Sequence, residues 1–277
     1  MFIPDNSKYA KKYPEYTDMH YLVIKKNRGY VFDKDYPYID NSKGFRFKRW
    51  FIRKLTITLV FLLTRIRLGL RVKNRKYLKQ NKEILKQGVI SIANHVHMWD
   101  YLGILIGIRY FNPNYLVWDK NVNGPNGKSI RLTGGIPIPI NDINATKVYL
   151  KTVNDYISNG GWLHIYAEGS MWEYYRYIRP FKKGVAYFSI TNNKPILPMG
   201  FSYRKPNIIR RVIFRQKALL TLNIGELIYP NTSLNKKDME TDLLKRCHEE
   251  VCKLCNIDDN IYDAIFDNSE KKKPFNI

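Results

Sequence analysis

The chain has 277 residues, 44% of them hydrophobic and 26% charged, which is enough to bury a substantial core. Its formal charge of +23 calls for an acidic partner, and either nucleic acid or an anionic membrane would satisfy the electrostatics; charge alone does not choose. Three cysteines, an odd number without regular spacing, argue against a disulfide framework and for reduced thiols in a cytosolic setting.

Residues 1–44 carry tyrosines and lysines without a clean period and suggest no role. Their charged, apolar-poor start lacks the hydrophobic region of a signal peptide, so the cytoplasmic face of the cell membrane is expected rather than export. Residues 45–76 interleave arginine, lysine and Trp50 with a short apolar run. The uncharged stretch from Leu55 to Thr64 is ten residues, about half of the roughly twenty needed to span a bilayer. This segment is expected to lie in the membrane interface as a peripheral or monotopic element, its basic side chains reaching lipid head groups; a buried core helix is the alternative. Residues 77–267 then read as one α/β domain without internal repeats, and 268–277 as a disordered tail.

Within that domain the patterns predict strands near 88–93, 115–118, 135–140, 162–166, 195–201, 209–215 and 219–228, and helices near 99–110, 142–158, 181–192 and 236–256. The helix after Asn141 is well marked, with Asn141 or Asp142 as its cap, Ile143, Thr146, Leu150, Val153 and Ile157 on one face, and Gly160 and Gly161 after its end. The last strands have no helical crossover between them and should be antiparallel. The expected fold class is therefore α/β: a mixed, partly parallel sheet flanked by helices, preceded by a basic, apolar helical segment that associates with membrane.

One pair of residues carries chemistry. In Asn94-His95-Val96-His97-Met98-Trp99-Asp100 a histidine and an aspartate flank four residues at the junction of an apolar strand and a helix. In a continuous helix residues five apart would point roughly 140° away from each other, so the pair meets only if the chain turns between them. A strand end supplies that turn, Asn94 could cap the helix, and Asp100 in its first turn is favoured by the helix dipole. A histidine held by a carboxylate can take a proton from an alcohol. Three later blocks add to the pair. Leu132 to Ile140 is an apolar strand opened by two glycines; Trp162 to Ser170 is a strand ending in Glu168, Gly169 and Ser170; and Lys194 to Phe201 is a strand bracketed by prolines behind the helix starting near Phe181.

In order and spacing these four blocks resemble the glycerolipid acyltransferase family, the group that includes 1-acylglycerol-3-phosphate acyltransferases, from about Gly88 to Phe201. His95 and Asp100 meet its histidine, four residues, aspartate signature. Tyr166-Ala167-Glu168-Gly169-Ser170-Met171-Trp172 stands where the family reads phenylalanine, proline, glutamate, glycine, threonine, arginine, serine. The departures fall together: the third-block arginine is Met171 here, and the arginine that usually closes the second block is Ile140 or Asn141. Arg176, Arg179, Lys182 and Lys183 lie just downstream of Glu168 and could hold a phosphate instead. They read equally well as a solvated basic stretch ahead of a helix.

The resemblance implies acyl transfer from a thioester, either acyl-coenzyme A or an acyl-carrier protein, to a hydroxyl of a lysophospholipid at an anionic membrane surface. His95 is the expected base and Asp100 its orienting partner. By resemblance Glu168 and Gly169, with Asn94 and Ser170 beside them, bind the acceptor, and backbone amides near the second and third blocks are candidate oxyanion donors. No metal or redox cofactor is implied and no nucleic-acid partner is expected. The chain has no nucleophile-elbow pattern, so direct attack by the acceptor hydroxyl is simpler than an acyl-serine, with Ser170 a weak candidate nucleophile. His97 reads as structural rather than as a second base, His164 as packed within its strand, and Cys247, His248, Cys252 and Cys255 as positions on a helical core stripe rather than a metal cluster. Two further readings stay open: an acyltransferase with another acceptor, such as a glycolipid or other small lipid, and a non-enzymatic basic protein binding membrane or nucleic acid.

Overall fold

The computed structural model describes residues 2–262 apart from 11, 15, 18, 23, 25, 26, 109 and 110; the expected disordered tail, 268–277, lies outside the described residues. The elements run α1 (Ser7–Ala10), α2 (Lys43–Arg67), β1 (Arg71–Lys73), α3 (Lys76–Gln80), α4 (Lys82–Lys86), β2 (Val89–Ala93) and α5 (Asp100–Gly107). They continue as β3 (Asn114–Trp118), α6 (Asp119–Asn123), α7 (Gly127–Thr133), β4 (Gly135–Ile138), α8 (Ile143–Ser158) and β5 (Trp162–Tyr166). After these come α9 (Gly184–Asn192), β6 (Ile196–Arg204), α10 (Ile208–Val212), β7 (Leu219–Ile224) and α11 (Lys236–Cys255).

The strands form one sheet in the order β1-β7-β6-β2-β5-β3-β4. Its pairs are parallel except β6 with β7, so the sheet is mixed and mostly parallel, as the chain order of strands and helices predicts. β2 and β5 are apolar on both faces because both are covered. Ile90, Ile92, Leu163 and Ile165 pack under α8, α9 and α11, whereas Val89, Ala93 and Trp162 pack on the side of α5. The crossover leaving β2 passes over β5 to β3, and the one leaving β5 passes over β2 to β6. The two connections part in opposite directions, opening a crevice at the carboxyl ends of β2 and β5.

The expected strand at 209–215 is instead the short helix α10. The run of β-branched residues reads as strand by propensity, yet Asn207 caps a helix by accepting from the Arg210 N–H at 2.9 Å, and the sheet edge beside β7 is taken by β1. β1 also ends the apolar segment early: α2 stops at Arg67, and residues 71–73 already belong to the sheet. In α8 the cap is Asp142, and the inner face is Ala145, Tyr149, Val153 and Ile157, with Ile143 exposed rather than on that face. Cys247, His248, Cys252 and Cys255 all lie on the buried face of α11; the His248 ring bonds the Ile178 carbonyl at 3.1 Å, and the three cysteines are not joined in a disulfide.

Candidate active site

β2 ends at Ala93, and the next residues fold back around one carboxylate. Asp100 opens α5 and is fully buried. Its Oδ2 accepts from His95 Nδ1 at 2.8 Å and from the backbone N–H groups of Val96 and His97 at 2.9 and 3.1 Å. Its Oδ1 accepts from the Tyr166 hydroxyl at 2.6 Å. Burial alone would push this carboxyl up, but the facing His95 charge and the hydrogen bonds from His95, Tyr166 and the backbone at His97 outweigh it and hold the group below the usual aspartate value. A carboxylate only accepts, so Nδ1 of His95 carries a proton, and in the neutral ring Nε2 is the nitrogen left to accept. The imidazole lies flat on the Tyr166 ring, with centroids 3.8 Å apart and planes 13° apart, and its side chain is 22% exposed. The ring is thus held at one nitrogen and on one face while its other nitrogen can meet a substrate.

Asn94 does not cap α5. Its side chain accepts from the Phe201 N–H at 2.7 Å and donates to the Phe201 carbonyl at 3.1 Å, tying the end of β2 to β6. The cap position is Trp99, whose side chain makes no capping bond.

Glu168 is buried and its acceptors are already used within the chain. Oε1 takes the Arg179 N–H at 2.8 Å, while Oε2 takes the His95 N–H and Arg179 Nη2, each at 3.1 Å. Arg179, expected to be open to a phosphate, is instead fully buried. The guanidinium also donates to Ser170 Oγ at 2.8 Å, the Thr17 carbonyl at 3.0 Å and the Ser170 carbonyl, and it lies over the Trp172 ring. A buried arginine persists only with its charge answered, and Glu168 supplies the opposite charge at 3.1 Å. Ser170 is likewise engaged, donating to the Met19 carbonyl at 3.1 Å, which argues against its role as a nucleophile. Arg176 pairs with Asp259 and Lys183 with Glu240. Lys182 is exposed and packs over Gly169, whose φ of +79° would strain any other residue and where an added Cβ would press on the Lys182 chain at 3.1 Å.

Four contributors escaped sequence reasoning. Tyr166 carries the only hint a linear pattern could have given, a tyrosine at the end of the strand that holds Glu168. The other three come from residues 1–44. Tyr13 stacks on Trp172 with planes 8° apart and donates to the Glu173 carbonyl at 2.6 Å, and Thr17 and Met19 supply the carbonyls that Arg179 and Ser170 need. The N-terminal segment therefore crosses the third block.

His97 keeps a structural role: Nδ1 accepts from the Trp99 N–H at 3.1 Å, and burial, opposed by Asp100 and reinforced by the positive charges of Arg67 and His95, lowers its pKa. His164 is fully buried with Nδ1 3.0 Å from the Ser91 hydroxyl, and burial pushes it down to about 3, so it stays neutral beside the site.

A parallel-strand crevice holding a histidine oriented by a buried aspartate is the geometry that general-base chemistry needs. The chain matches the family model described as Acyltransferase over residues 69–202, a stretch that holds all four sequence blocks. It is an acyltransferase rather than a non-enzymatic basic binding protein. No curated protein sequence matches the chain. Among solved structures it is similar to the 1-acyl-sn-glycerophosphate acyltransferase PlsC from Thermotoga maritima, at 17% identity and a TM-score of 0.43, over 76% of this chain and 94% of that one.

Proposed function

We propose that the chain moves a fatty acyl group from a thioester, acyl-coenzyme A or an acyl-carrier protein, to a hydroxyl of lysophosphatidic acid or a related glycerolipid at an anionic membrane surface. The observation that carries this reading is the 2.8 Å bond from His95 Nδ1 to a buried Asp100, on an imidazole side chain that stays 22% exposed. His95 Nε2 takes the proton as the acceptor oxygen attacks the thioester carbonyl. The tetrahedral intermediate then expels the thiolate, which recovers the proton from His95. Asp100 stabilises the imidazolium between these steps. Glu168 acts here through others, fixing the His95 backbone and Arg179, rather than by touching the acceptor.

Membrane contact is supported by α2. Phe47, Phe51, Leu55, Leu62 and Ile66 recur at helical spacing and are exposed, beside exposed Trp50 and Phe61, whereas Arg53 and Thr64 face the domain. Among the described residues no helix is long and apolar enough to cross a membrane. An exposed apolar stripe flanked by basic residues is the pattern of a helix lying in the interface plane.

The interior engagement of Arg179 favours a second reading for the acceptor alone. With that guanidinium committed to Glu168 and Ser170, a lipid without a phosphate, such as a glycolipid, is the competing substrate. The test is thiol release from long-chain acyl-coenzyme A and from acyl-carrier protein, with lysophosphatidic acid or a neutral lipid as acceptor. His95→Ala is expected to lower release by about 10²- to 10⁴-fold while the protein stays folded. Near-normal turnover in that variant would remove His95 as the base; release with the neutral acceptor only would select the second reading.

A further inference from the structure

We infer that α10 and the residues around it, 205–217, are a second membrane-docking element, which together with α2 forms one footprint on the surface of a bilayer containing anionic lipid. This deepens the membrane reading given above and rests on it. Ile208, Val212 and Ile213 are 67%, 66% and 68% exposed, and Ile209 and Phe214 are exposed as well. Single exposed apolar residues are ordinary, but five within seven consecutive positions on a protruding helical turn are not.

The occupant follows from charge. Lys205, Arg211 and Arg215 are exposed around these side chains, as are Arg65, Arg67 and Arg71 at the neighbouring end of α2. Neither 43–76 nor 205–225 contains an aspartate or glutamate. Large aliphatic side chains ringed by cations alone match acyl chains below anionic head groups, and each basic residue adds to the attraction.

The two elements are joined. Arg210 donates to the carbonyls of Ile66 and Arg65 at 3.1 and 3.2 Å, and Gln216 donates to those of Ile66 and Arg67, the latter at 2.8 Å. The apolar turn is thereby fixed against the end of the α2 stripe. The footprint also sits beside the site, since the Arg67 charge reaches His97, two residues from the base. An acceptor leaving the bilayer there would enter close to His95.

The experiment uses the full chain and vesicles of phosphatidylcholine with or without phosphatidylglycerol. Ile209→Asp with Ile213→Asp should weaken sedimentation with anionic vesicles by at least about tenfold without lowering the melting temperature, because both side chains already face solvent. In parallel, Ile213→Cys can be labelled with an environment-sensitive fluorophore, since the three native thiols are buried. Its emission should shift to the blue on anionic vesicles and be quenched by lipids brominated on the acyl chain. Wild-type binding with an unchanged label and unweakened Ile209→Asp/Ile213→Asp binding would overturn the inference and leave α2 as the sole contact. Loss of binding in Phe51→Asp/Leu55→Asp would then identify that contact. Absence of vesicle binding by the wild type would defeat the membrane reading and this inference together.

Discussion

Tyr166 does two things at once: its hydroxyl holds the far oxygen of Asp100 and its ring supports the His95 imidazole. Tyr166→Phe separates them, keeping the stack and removing the hydroxyl. A hydrogen bond to a charged group contributes about 1.5–3 kcal/mol, and this one helps keep the Asp100 carboxyl low. The variant should lose about tenfold or more in kcat/KM. The sign of the pH effect follows: without that donor, Asp100 holds its negative charge less well and turns more of it on the imidazolium, so the acid limb of the rate profile should move to higher pH. A role limited to packing would lower stability and leave the limb in place. Glu168 offers the contrasting case. Glu168→Ala leaves the Arg179 guanidinium buried without its carboxylate, for which about 3–5 kcal/mol of stability is the expected loss. Urea unfolding would measure it, and a change below about 1 kcal/mol would contradict the assigned role of the pair.

The strands and helices that proved legible are those whose own patterns decide them. β2, β5, α8 and α11 carry continuous apolar runs or helical stripes bounded by local signals, such as the Asp142 cap of α8 accepting from Asn144 and Ala145. His95 and Asp100 were legible for the same reason, because a strand end and a helix start stand five residues apart. What the pattern hid is held by distant partners. Tyr166 meets Asp100 across 66 positions and Asn94 meets Phe201 across 107, and α10 is a single turn fixed by carbonyls of α2 rather than by any periodicity. Gly88 shows where an element depends on one residue. It opens β2 with φ of +107°, and a Cβ there would stand 2.2 Å from the Ile157 carbonyl oxygen at the end of α8. Neither the backbone angle nor a backbone oxygen can yield easily. Gly88→Ala should therefore cost at least about 2 kcal/mol, combining left-handed strain with overpacking. Thermal unfolding reads it directly, and an unchanged melting temperature would mean that β2 and α8 can separate without loss.

At the scale of the molecule, the charge of +23 and the exposed apolar stripe of α2 predict different responses to salt, and their combination can be told from either alone. Cations attract the protein to an anionic surface over about a Debye length, roughly 10 Å at 0.1 M salt and 3 Å at 1 M. Apolar side chains act only after contact and are not screened. Association with vesicles containing phosphatidylglycerol should thus fall steeply between about 0.05 and 0.5 M salt, whereas protein already bound should be only partly released by the same rise. Neutral vesicles should bind weakly with little salt dependence. Complete release by salt would reduce the membrane contact to electrostatics, leaving Phe47, Phe51, Leu62 and Ile66 without a place in it. Salt-independent binding would instead assign the contact to the apolar stripe and free the basic excess for an acidic acyl donor. In the combined case, charge concentrates the protein at the lipid surface, and the stripe fixes which face it presents, with the end of α2 and its Arg67 near the loop that carries His95 and His97.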